Sequence, residues 1–338
     1  MPLIELQPFL SIIIVSFNTS NLTLQAVKAV IAELKSSKTL HQASEIIVVD
    51  NHSQDDSVAQ LKQLQKQTPQ LTIIETEKNL GFAKANNLGI KQSQGNYILL
   101  LNSDTIVQPG ALTQLVRTFE INPVTEVTAA LSSQQGKLDK LGILAATLLY
   151  PDGSWQAQGG QVPNLITLMM QMFFLDDLPV IGPLLPSAQE TGRTGRLRKK
   201  LLVSITTQPQ QKGWVGGTAM MIRKEVLQDI ELLDENIFMY GEDMEFCLRA
   251  RKHHWDIALD PQAKVVHLGS ASSSAENAIL GEFKAYLYIW SKHKPHWQIP
   301  LVKGILYLGA QLRRFVFGTI LKDQAKAQAY QKAKNLLL

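Results

Sequence analysis

The chain has 338 residues, a formal net charge of +4, 45% hydrophobic and 18% charged residues, and one cysteine. This balance describes a folded, core-rich protein rather than a disordered one. The small net charge gives no argument for nucleic acid, and a lone Cys247 excludes an intrachain disulfide and a multi-cysteine metal site, which fits a reducing cytoplasm.

The N-terminus has no basic segment before its first apolar run, so "FLSIIIVSF" (9–17) reads as a strand rather than a signal peptide. Residues 21–37 have helical periodicity through Leu24, Val27, Val30, Ile31 and Leu34. "EIIVVD" (45–50) is a second strand, 55–68 a helix, and "LTIIET" (71–76) a third strand. Residues 81–94 form a helix that Gly95 ends; "NYILLLN" (96–102) is a fourth strand, and Pro109 opens another helix. Strands that are apolar throughout and alternate with helices predict an α/β fold: an open, mostly parallel, Rossmann-like sheet with helices on both faces.

Beyond residue 124 the rhythm breaks. "LGILAATLLYPDGSWQ" is a strand followed by a turn at Pro151-Asp152-Gly153. Residues 163–188 are apolar but interrupted by Asp176, Asp177 and prolines, and 189–200 are polar and basic. Strand character returns at 213–223, a helix is expected over 242–254, and "WDIALD" and "KVVHL" read as two short strands. From 276 onward the chain reads as helical. No apolar run approaches the ~18 residues of a membrane span.

In an open parallel sheet, ligands bind at the carboxyl ends of the strands. Those ends carry Ser16 and Asn18, then Asp50, Asn51, Ser53 and Asp55, then Asn102, Ser103 and Asp104. Capping of the next helix is an equal account of Asn18, Ser53 and Asp55. It is a weaker one for Asp50 and Asp104, each of which ends a hydrophobic run. No G-x-G-x-x-G and no G-x-x-x-x-G-K-[ST] follows a strand. A nucleotide on this sheet is therefore held by side chains, with its diphosphate on a metal. Asp104 offers the hard oxygen that Mg²⁺ or Mn²⁺ prefers.

The segments "SIIIVSFN" (11–18), "EIIVVDNHSQDDS" (45–57), "NLGFAKANNLGI" (79–90), "YILLLNSDT" (97–105), "GWVGGTAMMIRKE" (213–225), "YGEDMEFCLRARKHHW" (240–255) and "VVHLGSAS" (265–272) occur in this order. Together they resemble the family 2 glycosyltransferases of GT-A fold. "LYPDGSWQAQGGQVP" further resembles the rhamnosyltransferase-like subgroup of cell-surface polysaccharide assembly. The resemblance implies a catalytic domain over 1–272, with an apolar and basic insertion at about 160–212, and a helical C-terminal region over 273–338.

The resemblance also implies residue roles. Ser16, Asn18, Asp50 and Asn51 would contact the donor nucleoside, and Asn79, Gly81 and Asn86 would line the nucleotide site. Asn102-Ser103-Asp104 stands where the family has Asp-x-Asp, so the diphosphate metal would rest mainly on Asp104, with His267 as a second contact. Asp243 would be the general base of an inverting transfer and Glu242 would bind acceptor or sugar hydroxyls. Acids at a helix start also have a purely electrostatic account, worth ~0.3–1 kcal/mol. Gly216 and Gly217, beside Trp214, would let a sugar approach the backbone, although a core tryptophan beside a tight bend fits equally. Glu245 falls off that side and is placed to pair with Arg249, four residues on.

The implied partners are a dTDP- or UDP-sugar, rhamnose before others, and a glycan or lipid-linked acceptor. Between 298 and 338 seven Lys/Arg accompany one Asp, with apolar residues at helical spacing. That pattern suits an anionic membrane interface, and equally helices packed on the domain. Two other functions compete: a sugar-nucleotide pyrophosphorylase, which would need a glycine-rich basic loop where "SFNTSNLT" stands, and a catalytically inactive membrane-associated scaffold, against which Asp104, Asp243 and His267 speak.

Overall fold

The computed structural model describes residues 9–122, 140–178, 180–190, 207–269 and 274–338. The basic run 193–200 lies outside the described residues. The first half follows the expected alternation: β1 (Leu10–Ser16), α1 (Ser20–Ser36), α2 (Lys38–Gln42), β2 (Ser44–Asp50), α3 (Ser57–Gln65), β3 (Leu71–Glu75), α4 (Phe82–Gln92), β4 (Tyr97–Asn102), β5 (Thr105–Val107) and α5 (Ala111–Ile121). Then come β6 (Leu141–Leu149), β7 (Trp155–Gln156), α6 (Leu165–Met172), β8 (Gln210–Gln211), β9 (Ala219–Arg223), α7 (Lys224–Ile230) and α8 (Glu242–Lys252). The chain closes with β10 (Asp256–His267), α9 (Ala275–His293), α10 (Ile299–Phe315) and α11 (Gln324–Asn335).

The main path of the sheet runs β3-β2-β1-β4-β9-β6-β10-β5. Strands β3, β2, β1 and β4 are parallel, as are β6 and β10, while β9 runs antiparallel between β4 and β6. The sheet is thus mixed at its centre. Side chains alternate between two apolar layers: Ile13, Val15, Ile47 and Leu100 on one face, Ile12, Ile14, Val48 and Leu99 on the other. A strand buried on both faces is apolar through its centre, which is why residues 12–15, 46–49 and 97–101 stand out as unbroken runs.

Two expectations are corrected. "WDIALD" and "KVVHL" are one strand, β10, whose register against β6 shifts between Asp260 and Lys264. The break between the two runs, at Asp260 to Gln262, is a bulge. The buried Asp260 carboxylate accepts from the Gln262 and Ala263 N–H groups and from Thr118 Oγ1, satisfying the donors the bulge frees. The strand expected over 213–223 is confined to β9, because Gly213 to Thr218 form the loop beside the cavity.

The C-terminal helices are part of the core. Ile279, Phe283, Tyr286, Ile289 and Trp290 of α9, with Val302 and Leu306 of α10, share one apolar cluster with Ile13, Leu100 and Phe246. A buried ionic latch adds direction to that packing. Glu245 of α8 pairs with Arg249 at 2.9 Å, with Lys292 at 2.8 Å and with His293 at 2.9 Å. Arg249 continues to the Ile230 and Leu232 carbonyls, and Lys292 also holds Asp234. Burial alone would raise the Glu245 pKa, but the hydrogen bonds from His293 and Lys292 and the charge of Arg249 lower it. His293, given no role on sequence, is thus a clamp between α8 and α9.

Removing one partner of a buried ionic cluster strands the others. We therefore expect Glu245→Ala to lose ~3–5 kcal/mol of stability in urea unfolding. A loss below ~1 kcal/mol, the level of an exposed ion pair, would contradict the latch.

Candidate active site

A cavity of about 1150 Å³ opens at the carboxyl ends of β1 and β4. Its walls come from three regions. Phe17, Asn51, Asn79, Gly81, Asn102, Ser103 and Asp104 form the sheet edge; Trp214, Gly217, Glu242, Asp243 and His267 form the middle; and residues 236–241 with the first turns of α9 form the far side.

The sheet edge is held by short polar contacts. A hydroxyl chain runs from Ser16 to Thr23 (2.8 Å), Thr19 (3.0 Å) and Ser103 (3.2 Å), tying the end of β1 to the loop after β4. Ser16 is fully buried in that chain and lies outside the cavity wall. Asn18 is outside it too. With φ of 53° it stitches two loops together, accepting from Gln54 N–H and donating its own N–H to Ser53 Oγ. Asn51 clamps the 79–81 turn: its amide donates to Asn79 Oδ1 and the Gly81 carbonyl, and its oxygen accepts from Leu80 N–H. Gly81 has φ of +83°, and a Cβ there would lie 2.5 Å from the Phe238 carbonyl oxygen, so only glycine fits. Asn86 is buried, bonds back to the Phe82 carbonyl within α4, and does not reach the wall.

Asp50 also lies outside the wall, with one oxygen accepting from Ser53 N–H. Its other oxygen is buried without a hydrogen-bond partner, as is Asn102 Oδ1 on the wall itself. Unpaired buried acceptors are costly and ask for a donor or a cation.

Asp104 Oδ1 and His267 Nε2 stand 3.3 Å apart where β5 and β10 pair. Gln156 Oε1, from β7, lies 3.0 Å from His267 Nδ1. An Nδ1–H donor to that oxygen leaves the Nε2 lone pair facing the carboxylate, the tautomer a metal ligand needs. Among the described residues no group of three or more His, Cys, Asp and Glu could hold a metal ion. The pair therefore fits a divalent cation only if ligand oxygens complete the coordination.

The middle of the cavity is set by backbone conformation. Tyr240 and Gly241 both have positive φ, 69° and 99°. A Cβ on Gly241 would lie 2.3 Å from Ala285 Cβ of α9. This tight left-handed pair turns the chain so that Glu242 and Asp243 open α8 and face the cavity. Asp243 is half-buried; its Oδ2 accepts from Gly217 N–H at 3.0 Å and its Oδ1 from Met244 N–H at 2.7 Å. Burial raises its pKa against the pull of those two N–H groups. Glu242 is buried, and its Oε2 has no hydrogen-bond partner. Burial, then the neighbouring Asp243, pushes its pKa up to about 8. The two adjacent carboxylates thus differ in their surroundings: Asp243 has two N–H donors that partly offset its burial, whereas Glu242 Oε2 has none and keeps its proton at neutral pH.

Trp214 is on the wall but only 5% exposed, and its indole N–H donates to the Ala188 carbonyl. Gly217 is on the wall, whereas Gly216 is not. The far side was missed on sequence. Asn277, Glu282 and Tyr286 of α9 face the cavity with Gln189. Glu282 accepts from Gln171 Nε2 at 2.6 Å, and Gln171 Oε1 accepts from Tyr286 Oη at 2.7 Å. Burial raises the Glu282 pKa. The available signal was the small-residue spacing Ala278, Gly281 and Ala285, which lets α9 lie against Tyr240 and Gly241.

Residues 11–161 match the family described as Glycosyl transferase family 2. The N-acetylglucosaminyl-diphospho-decaprenol L-rhamnosyltransferase of Mycobacterium tuberculosis is 24% identical over 286 residues, covering 79% of this chain and 82% of the relative. Among solved structures, GalNAc-T7 with UDP, GalNAc and Mn²⁺ superposes with a TM-score of 0.56 at 15% identity, over 97% of this chain and 55% of that one. The mannosyltransferase of Pyrobaculum calidifontis in complex with GDP-Man and Mn²⁺ gives 0.52 at 12% identity, over 98% and 86%. These likenesses show the GT-A fold that the sequence implied. Residues 11–161 thus match a family 2 glycosyltransferase domain, within a chain that has the GT-A fold and a rhamnosyltransferase relative.

Proposed function

We propose that this glycosyltransferase is inverting and metal-assisted, and that it moves a sugar, rhamnose before others, from a dTDP- or UDP-linked donor to a lipid-linked saccharide or polysaccharide acceptor in cell-surface glycan synthesis. It would work as a peripheral protein at the inner face of the cell membrane. The observation that carries the reading is Asp243: a carboxylate on the cavity wall with Asp104, His267 and α9, oriented by two N–H groups, with Glu242 beside it held protonated. The mycobacterial relative, whose name gives a diphospho-decaprenol acceptor and an L-rhamnosyl group, supports the choice of sugar and acceptor.

The chemistry follows from these positions. Asp243 takes the proton of the acceptor hydroxyl as that oxygen attacks the anomeric carbon. The carbon–oxygen bond to the diphosphate breaks on the opposite side, and the electron pair leaves with the diphosphate. A raised pKa makes Asp243 a better base than an ordinary aspartate, while the Gly217 and Met244 N–H groups fix its direction. Protonated Glu242 adds no second charge beside the base and can donate a hydrogen bond to a sugar hydroxyl. Asp104 and His267 would hold Mg²⁺ or Mn²⁺, which would neutralise charge on the leaving diphosphate. Asn51 and Asn79 shape the nucleoside end. Glu282, Asn277 and Tyr286 form the acceptor end.

Asp243→Asn is expected to lower transfer by at least ~10²-fold, the low end of a general-base contribution, with donor affinity unchanged. Transfer within about tenfold of wild type would remove Asp243 as the base. Asp104→Ala should weaken donor binding in calorimetry with Mg²⁺ or Mn²⁺ present and have little effect with chelator; equal affinity with metal would sink the metal role.

The raised Glu242 pKa has a consequence for stability. Between the ordinary carboxylate range and pH 8, the folded state retains a proton that the unfolded chain has released. Stability therefore falls as pH rises through that window. Glu242→Gln should lose this decline and melt higher than wild type at pH 8.5 than at pH 5, relative to wild type at each pH. A melting difference that does not change with pH would contradict the assignment.

A further inference from the structure

Among the described residues, the large apolar side chains left exposed are not scattered. All but Ile121 and Phe238 lie within two segments, 166–184 and 297–338. The two segments are neighbours. Arg313 donates to the Gln171 and Met172 carbonyls and stacks 4.3 Å from the Phe174 ring, and Phe174 meets Phe317 with ring centroids 6.4 Å apart.

Helix α10 shows the pattern most clearly. Val302, Leu306 and Ala310 are fully buried against the domain. Leu301, Leu308 and Phe315 are 48%, 55% and 57% exposed. Residues seven apart lie two turns apart on one side of a helix, so these three form a stripe directed away from the core. A helix packed only on its own domain would carry polar residues there. Trp297, 66% exposed, precedes the helix, and Ile320 and Leu321 follow it. Lys303, Arg314 and Lys322 are exposed along the same helix and its end, and no acid occurs from 299 to 322.

We infer that the stripe of Leu301, Leu308 and Phe315 seats α10 in the headgroup layer of an anionic bilayer, with Lys303 and Arg314 on another exposed side of the helix and Lys322 at its end. The apolar stripe enters the acyl boundary and the cations meet lipid phosphates. No described helix is long and apolar enough to cross a membrane, so the contact is lateral rather than spanning. A second copy of the chain fits worse. A two-fold interface would set the basic residues of both copies on a shared face that offers no acid to pair with them. The inference deepens the peripheral placement proposed above but rests on this surface, and vesicle binding without donor or acceptor reports on it independently of transfer.

The test is flotation of the full chain with phosphatidylglycerol-containing vesicles and with pure phosphatidylcholine vesicles. Wild type should float with the anionic vesicles. Leu308→Asp with Phe315→Asp should reduce binding by at least about tenfold. Lys303→Glu with Arg314→Glu should remove the preference for anionic lipid, and circular dichroism should show all chains equally helical. Failure of wild type to float, or equal flotation of folded variants, would overturn the inference. So would a dimer in sedimentation that the Leu308→Asp, Phe315→Asp variant dissolves, since the face would then belong to a second copy.

Discussion

Everything in the site depends on keeping two adjacent carboxylates, Glu242 and Asp243, at the start of one helix and largely out of water. Left to themselves they would repel each other and turn toward solvent. The fold prevents this in three ways. The left-handed Tyr240-Gly241 pair sets the direction of α8, and close contact of Gly241 with Ala285 leaves it little room to change. The Gly217 and Met244 N–H groups give Asp243 donors that Glu242 Oε2 lacks, so the pair shares its charge unequally. Glu245, one turn along, anchors the helix through Arg249, Lys292 and His293. The cost of burying the pair is thus borne by a strained turn and an ionic latch.

The C-terminal helices are therefore part of the catalytic architecture. Helix α9 supplies the Lys292 and His293 partners of the latch, the small residues against which the Tyr240-Gly241 turn fits, and the cavity wall with Glu282. Through Gln171 and Arg313, that wall is also linked to α6 and α10, whose outer faces are apolar. One compact set of contacts connects the acceptor end of the cavity to the surface inferred to meet lipid.

Much of this was legible in the sequence, for physical reasons. Strands β1, β2 and β4 are apolar through their centres because both faces are buried there, and their polar carboxyl ends mark the ligand edge. Asp104 and His267 could be singled out because each stands at the end of a strand at such an edge, whereas Asp243, in the first turn of α8, was singled out by the family resemblance. What escaped had nonlocal causes. The single strand β10 read as two because Asp260 satisfies the donors freed at its bulge only with the fold in place. Ser16 and Asn18 looked like ligand contacts, yet in the structure their side chains hold loops together. The α9 wall gave only a weak sign, because a glutamate in a helix usually faces water. The latch was half visible: the spacing of Glu245 and Arg249 predicted their pairing, whereas Lys292 and His293 come from a helix far along the chain.

The central claim is that Asp243 activates an acceptor hydroxyl for direct displacement of a nucleoside diphosphate. The most direct measurement is the anomeric configuration of the product. A panel of nucleotide sugars, dTDP-rhamnose first, would be offered with a lipid-diphosphate saccharide acceptor, and the new linkage examined by NMR one-bond carbon–proton coupling. A product of configuration opposite to that of the donor is predicted, formed by wild type and not by Asp243→Asn. A product that keeps the donor's configuration would contradict the account.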